Sequence, residues 1–307
     1  MPDSKNSPAS ATKGNRFWRE VRGYAEALVI AYLVVTFLFN TVGVVGSSMQ
    51  PNLDGGVGSS NMIQSLLTGD RVFIPKYDNW LRRAGVLGHY DRGEVIVVRE
   101  PANAPTAQLR DRLQFFIKRV IGVPGDRVRI EAGQVFVNGH PVDQGFITDS
   151  GEIDPDPVNF PVVVAQDGEV TGFNMGFNRT SGGIMVPDLP RTNYTPVAMP
   201  LDDQWVRLYY GSTIDSLAPV PPTAVDGQPF VIDLIVPEDH YFLMGDNRES
   251  ATGGSEDSRY FGPVPAITVA GRASSVIWPP RRDGEWNWRM LRPPEAFSEI
   301  PEPAAAD

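Results

Sequence analysis

Ser48 and Lys118 are the two residues whose chemistry most needs explaining. Ser48 lies in GSSMQPNL, residues 46–53, directly after an apolar run. A serine hydroxyl is a poor nucleophile until a base takes its proton. Histidine is the usual base, and the chain has three: His89, His140 and His240. His89 in LGHYDRGE and His140 in VNGHPVD read as turn residues, and His240 in EDHYFLMGDN reads as a structural residue of a strand. None has triad company in sequence. The other available base is lysine, which must be neutral near pH 7 and so must be buried. Lys118 in QFFIKRVIGVPGD, 70 residues after Ser48, has apolar neighbours on both sides. In a strand it shares a face with Phe116, while Phe115, Ile117 and Arg119 point the other way. From this stretch alone a surface lysine on an edge strand is an equally open reading.

The elements that would position these groups follow from composition. At 307 residues the chain can bury one large core or two smaller ones. The net charge of −10 argues against nucleic acid as a partner. There is no cysteine, hence no disulfide, no thiol nucleophile and no Cys-ligated metal, and there is no paired-histidine metal motif. No metal and no other cofactor is expected.

Residues 1–15 are polar and small and read as a disordered tail. Residues 16–43 read as an uncleaved transmembrane anchor: Ala27 to Val45 carries no charge, with Trp18 and Tyr24 flanking. A cleaved signal peptide and a buried helix are the bland alternatives. Residues 1–22 hold five Lys/Arg against Asp3 and Glu20, which places the N-terminus in the cytoplasm and everything after the helix outside.

Beyond Val45 the pattern is mainly β, with β-branched or aromatic runs at 95–98, 115–123, 126–130, 134–137, 230–236 and 240–245 punctuated by Gly and Pro. Residues 131–139 read as a hairpin. Residues 144–229 hold 11 acidic side chains against 3 basic ones and read as an inserted second β lobe. The expected catalytic core is therefore 44–143 plus 230–280. The Pro-, Ala- and Glu-rich residues 281–307 read as a C-terminal tail.

GSSMQPNL, RGEVIVV (92–98), KRVIGVPGD (118–126) and GDNR…SEDSRYFGPV (245–264) resemble, in order, the motif boxes of type I signal peptidases, membrane-anchored Ser/Lys proteases. TGDRVFIPK (68–76), VFVNG (135–139), VPEDHYFLMGDNR (236–248) and VIWP (276–279) are similar to flanking segments of that family. The resemblance spans about 16–280. It implies the β catalytic core of signal peptidases and self-cleaving repressors of the SOS type.

By position it implies Ser48 as nucleophile and Lys118 as general base. The Ser48 backbone N–H would be an oxyanion donor. Gly46 stands where some members add a hydroxyl, so the hole would be backbone-only. Ser255 would orient the lysine, with Ser250 the competing choice. Asp257 and Arg259 would form a structural ion pair, with Asp246, Asn247 and Arg248 bracing the region. Val44, Met49, Phe116 and Ile117 would line shallow pockets for small residues, or else pack the core. The implied partners are the signal peptides of exported preproteins and membrane lipid. The implied location is the plasma (inner) membrane, single-pass, with the catalytic domain on the outer or periplasmic side.

Three departures from the family pattern stand out: Asn52 in place of a threonine, the long loop DGGVGSSNMIQSLLT (54–68), and eight residues between Arg248 and Asp257. Three rivals fit less well. A self-cleaving repressor would need a DNA-binding N-terminus. A catalytically impaired, membrane-tethered peptide-binding or scaffold domain would be marked by loss of the serine or the lysine. A penicillin-binding hydrolase would need Ser-x-x-Lys on a helix.

Overall fold

The structure, a computed structural model, describes residues 12–56, 67–104, 107, 113–131, 133–147, 162–166, 169–175, 177–179, 181–183, 185–187, 197–219, 229–230, 232–248 and 255–303. In chain order the elements used below are α1 (Thr12–Phe37), β1 (Phe39–Gly43), β2 (Arg71–Pro75), α2 (Lys76–Arg83), β3 (Val95–Arg99), β4 (Phe115–Gly122), β5 (Arg127–Glu131), β6 (Gln134–Val137) and β7 (His140–Pro141). They continue with β8 (Val162–Gln166), β9 (Glu169–Met175), β10 (Val197–Pro200), α3 (Gln204–Asp215), β11 (Pro229–Phe230), β12 (Asp233–Ile235) and β13 (His240–Met244). The last are α4 (Ser258–Phe261), β14 (Val264–Pro265), β15 (Val269–Arg272), β16 (Ser275–Trp278) and β17 (Arg289–Met290).

Three sheets build the mainly β core. The first has the order β14-β13-β4-β3-β15, the second β12-β5-β6-β7, and the third β1-β2-β16-β17. Side chains alternate between faces along a strand, and β13 shows the consequence. Its Tyr241 and Leu243 join Ile96, Val98 and Val120 in one apolar cluster. Its Phe242 and Met244 join Val128, Ile130 and Ile121 in another. The expected hairpin forms as β5–β6, with Glu131 opposite Gln134. A fourth sheet, β10-β9-β8-β11, lies within the acidic segment. That segment also holds a helix the sequence reading did not foresee: α3, capped by the Asp203 carboxylate, which accepts from the Trp205 and Val206 amides.

Two expectations need correction. Residues 39–43 are not part of a continuous anchor helix. Helix α1 ends at Phe37, and β1 pairs along its whole length with β2, Phe39 opposite Pro75 and Gly43 opposite Arg71. The Phe39 ring meets Phe73 at 5.1 Å. The uncharged part of α1, Ala27–Phe37, is then about 16 Å long, roughly half a bilayer's hydrocarbon core. No helix of the described residues is long and apolar enough to cross a membrane. The chain after 280 is likewise not a loose tail as far as Pro303. Strand β17 pairs with β16, and Phe297 and Ile300 are buried in the cluster around Phe242 and Met244. Two large apolar side chains gain more by burial than the Pro-rich composition around them suggests. Residues 1–11, 57–66, 249–254 and 304–307, and with them most of the loop after Leu53 and Ser250, lie outside the described residues.

Candidate active site

Lys118 sits on β4, the central strand of the five-stranded sheet, opposite Ile96 of β3. The edge-strand reading is therefore excluded. Its face of the strand is the one that carries Phe116 and Val120, and the side chain is 3% exposed. Its ammonium lies 5.1 Å from the centre of the Phe116 ring. Burial strips water from the charged form and lowers the Lys118 pKa from 10.5 to about 8, against a smaller opposing pull from the Asp257 carboxylate. Roughly one molecule in ten then carries a neutral amine at pH 7. Lys118 Nζ donates to Ser255 Oγ at 2.7 Å.

The Ser48 loop reaches the same place. Met49 and Leu53 are fully buried among Val72, Val97 and Ile117, which holds the loop down while Ser48, directly before Met49, stays half-buried. The residues around Ser48 form successive turns rather than an extended run, with Gln50 N–H donating to Ser47 O and Leu53 N–H to Met49 O. Two backbone hydrogen bonds tie Ser48 to the lysine's partner: Asn247 N–H donates to Ser48 O at 3.1 Å, and Ser255 N–H donates to Asn247 O at 2.9 Å. Gly245 marks the meeting point. A Cβ there would stand 2.3 Å from Ser255 Oγ and 2.4 Å from Ser48 O.

Around this point lie the bracing residues. Asp257 accepts from Arg259 at 2.8 and 3.0 Å and from the Gly245 amide at 2.9 Å, all fully buried. Burial would raise the Asp257 pKa, but the Arg259 charge and hydrogen bonds outweigh it and hold the carboxyl below its usual range. Arg259 also donates to Ser255 O and Arg248 O, fixing both ends of the segment that delivers Ser255. Arg248 donates to Gly245 O, and burial beside Arg259 lowers its pKa to about 10. On the opposite face of β4, Arg119 forks onto Asp246 at 2.7 and 2.6 Å.

Of the expected pocket residues, Val44, Met49 and Ile117 are buried members of one apolar cluster, whereas Phe116 is only partly buried and stacks on Phe261. Gly46 is exposed with φ +82°, a conformation glycine adopts freely. The histidines serve elsewhere. His240 Nδ1 meets Glu238 O, His140 Nδ1 meets Asn138 O, and His89 Nδ1 approaches the Tyr241 hydroxyl.

The roles of two residues escaped the sequence reading. Asn52 donates to Asp246 at 3.0 Å and to Phe146 O at 2.9 Å, so the departure from threonine ties the serine loop to the Arg119–Asp246 pair. Gly55 packs so closely on Gly46 that a Cβ would stand 2.2 Å from Gly46 O. The DGG run was the available signal, because adjacent glycines mark close backbone approach.

The family model described as signal peptidase, peptidase S26, matches residues 18–278. The probable signal peptidase I-2 of Synechocystis sp. is 26% identical over 281 residues, 91% of this chain and 80% of that protein. Signal peptidase IB of Staphylococcus aureus is 24% identical over 255 residues, 83% of this chain and 86% of that protein. A signal peptidase I of known structure from Enterococcus faecalis V583 is 20% identical and covers 61% of this chain and 97% of that one, at a TM-score of 0.28, too low to bear on the fold. With the family model spanning most of its length, this chain belongs to the signal peptidase family, peptidase S26, whose serine endopeptidases cleave signal peptides.

Proposed function

We propose that Ser48 and Lys118 form the catalytic dyad, with Ser255 as the residue that positions the lysine. The observation that supports this best is the buried, partly neutral Lys118 amine held by Ser255 at 2.7 Å, beside the loop that carries Ser48.

Neutral Lys118 takes the proton of Ser48 Oγ as the oxygen attacks the scissile carbonyl. The carbonyl π pair moves to oxygen, which the Ser48 backbone N–H stabilises. The Lys118 ammonium then returns its proton to the leaving amine as the C–N bond breaks, leaving an ester on Ser48. Lys118, neutral again, deprotonates water for attack on that ester, and the proton passes to Ser48 Oγ as the C–O bond breaks. Phe116, the partly open member of the pocket set, forms a wall for a small side chain before the cut, while Val44, Met49 and Ile117 shape it from the core. The signal peptide adds as an extended strand. The exposed apolar residues of α1, among them Leu28, Ile30 and Tyr32, lie in the plasma membrane with the N-terminus cytoplasmic and the β core outside.

Purified chain, Ser48→Ala and Lys118→Ala are incubated in detergent with a preprotein bearing an Ala-x-Ala site, and products are read by mass spectrometry. A cut directly after that site by wild type, absent from both folded variants, supports the dyad. Full cleavage by either variant overturns it.

A further inference from the structure

Asp70 ties down both ends of the loop that carries Ser48. On one side Val44 N–H donates to Asp70 O at 2.8 Å. On the other, Asp70 N–H donates to Asp54 O at 2.7 Å, and Asp54 N–H donates back to Asp70 Oδ2 at 3.0 Å. Between these anchors the chain runs in bends and turns, with no strand pairing to hold Ser48. The Asp70 carboxylate is fully buried, and a buried charge needs partners. Three side chains of the C-terminal segment supply them. Arg282 Nη2 reaches Asp70 Oδ1 at 3.0 Å, Asn287 Nδ2 donates to the same oxygen at 2.9 Å, and Arg289 Nη2 stands 3.5 Å from Oδ2. The sheet order places them there: β17 pairs with β16, Val276 opposite Arg289, and β16 pairs with β2, which starts directly after Asp70.

Arg289 does more than neutralise Asp70. The same Nη2 donates to Asn52 O at 2.6 Å. Asn52 follows Ser48 by four residues, and its side chain donates to Asp246, the partner of Arg119 on the strand of Lys118. Asn52 is thus held through its carbonyl from the C-terminal segment and through its amide from the lysine's side. We propose that Arg289, supported by Arg282 and Asn287, is a positioning residue for Ser48: the C-terminal segment clamps the nucleophile loop through Asp70 and Asn52, and so sets where Ser48 stands against Lys118. All three residues lie beyond 278, where the family match ends, so the match does not cover the clamp. The energetic logic is that of orientation. A displacement of about 1 Å at a reacting atom can cost about 100-fold in rate. Arg289 is one of several ties on the loop, so its loss should cost less, about tenfold in kcat.

The proposal rests on the reading of Ser48 as the nucleophile, so Ser48→Ala runs beside the new variants. Asp70 is fully buried and its replacement threatens the fold; Arg289, with a side chain 40% exposed, is the safer handle. Full-length wild type, Arg289→Ala, Arg289→Lys and Arg281→Ala are purified in detergent. Arg281 stacks on Trp286 and is the neighbouring control. Initial rates on a preprotein with an Ala-x-Ala site give kcat and KM. Near-ultraviolet circular dichroism gives the folded fraction by which each kcat is divided. Arg289→Ala is expected to lower kcat about tenfold with KM within about twofold of wild type, and Arg289→Lys, which keeps a charged donor, to recover about threefold of that loss. Arg281→Ala is expected to change neither constant. A corrected kcat for Arg289→Ala equal to wild type overturns the proposal, as does a loss confined to KM or one that Arg281→Ala shares. If Ser48→Ala is inactive while Arg289→Ala cleaves like wild type, the dyad reading stands and the clamp falls; if Ser48→Ala cleaves fully, both fall.

Discussion

Lys118 and Ser255 lie 137 positions apart in sequence and 2.7 Å apart in space, Nζ to Oγ. The lysine needs a fixed direction as well as a low pKa, since a four-carbon stem is otherwise free to turn. In the proposed dyad the Ser255 hydrogen bond would supply that direction, and Arg259 donates to the Ser255 carbonyl. Ser255→Ala is expected to lower kcat about 10- to 100-fold with little change in KM. Steady-state kinetics on a preprotein checks this, and an unchanged kcat would show that Lys118 is oriented by something else.

Gly245 is the position where the two halves of the site touch. Gly245→Ala would drive a methyl group into Ser255 Oγ and Ser48 O. Ser255 Cβ would stand equally close and Ser48 O is backbone, so turning the hydroxyl does not relieve the clash and the loops must separate. The variant is expected to lose more activity than Ser255→Ala and about 1–3 kcal/mol of stability. Denaturant unfolding alongside the cleavage assay measures both.

Lys118 also sets a pH dependence of stability. Its folded pKa, about 8, lies below the unfolded value of 10.5. Between these values the unfolded chain holds more protons, so stability rises with pH across that window and gains nothing from this group below it. Lys118→Met is expected to remove that slope and to raise stability at pH 7 by on the order of 1–3 kcal/mol while abolishing cleavage. Unfolding curves at pH 7 and pH 9.5 decide it; a less stable Met variant at pH 7 would contradict the burial cost.

The sign is opposite for Asp257. Its folded pKa is depressed, so its contribution is present above the unfolded carboxylate value and lost as pH falls through the folded one. Asp257→Ala leaves Arg259 buried without its partner and should cost about 3–5 kcal/mol. A loss under 1 kcal/mol in a denaturant titration would show that the pair is not a main support of the site.

The parts legible in sequence were the local ones. Period-two alternation placed Lys118 with Phe116 and Arg119 on the other face, and both follow in the structure. The Asp257–Arg259 ion pair, two residues apart in one motif, was implied by the family resemblance rather than by alternation, and it forms in the structure. Long-range pairing was not readable. Nothing within 39–43 says that β1 will pair with residues 71–75, so an apolar run was extended through it into the anchor. The choice between Ser250 and Ser255 depended on where Lys118 Nζ points. The C-terminal segment misled by composition, because Phe297 and Ile300 decide its fate and the prolines around them do not. The helix α3 was signalled by the Asp203 cap, but its two tyrosines suit a strand as well.

That segment yields its own expectation. Phe297→Ala should destabilise the chain by about 3 kcal/mol, the cost of emptying a buried aromatic site. Thermal or denaturant unfolding would show it; a change within 0.5 kcal/mol would mean that residues after 290 do not support the core.

The pH dependence of kcat/KM for preprotein cleavage tests the central claim most directly. If neutral Lys118 is the base, kcat/KM rises about tenfold per unit from pH 5.5 and levels near pH 8. A rate constant that stays flat from pH 5 to pH 9 would contradict a Ser48–Lys118 dyad.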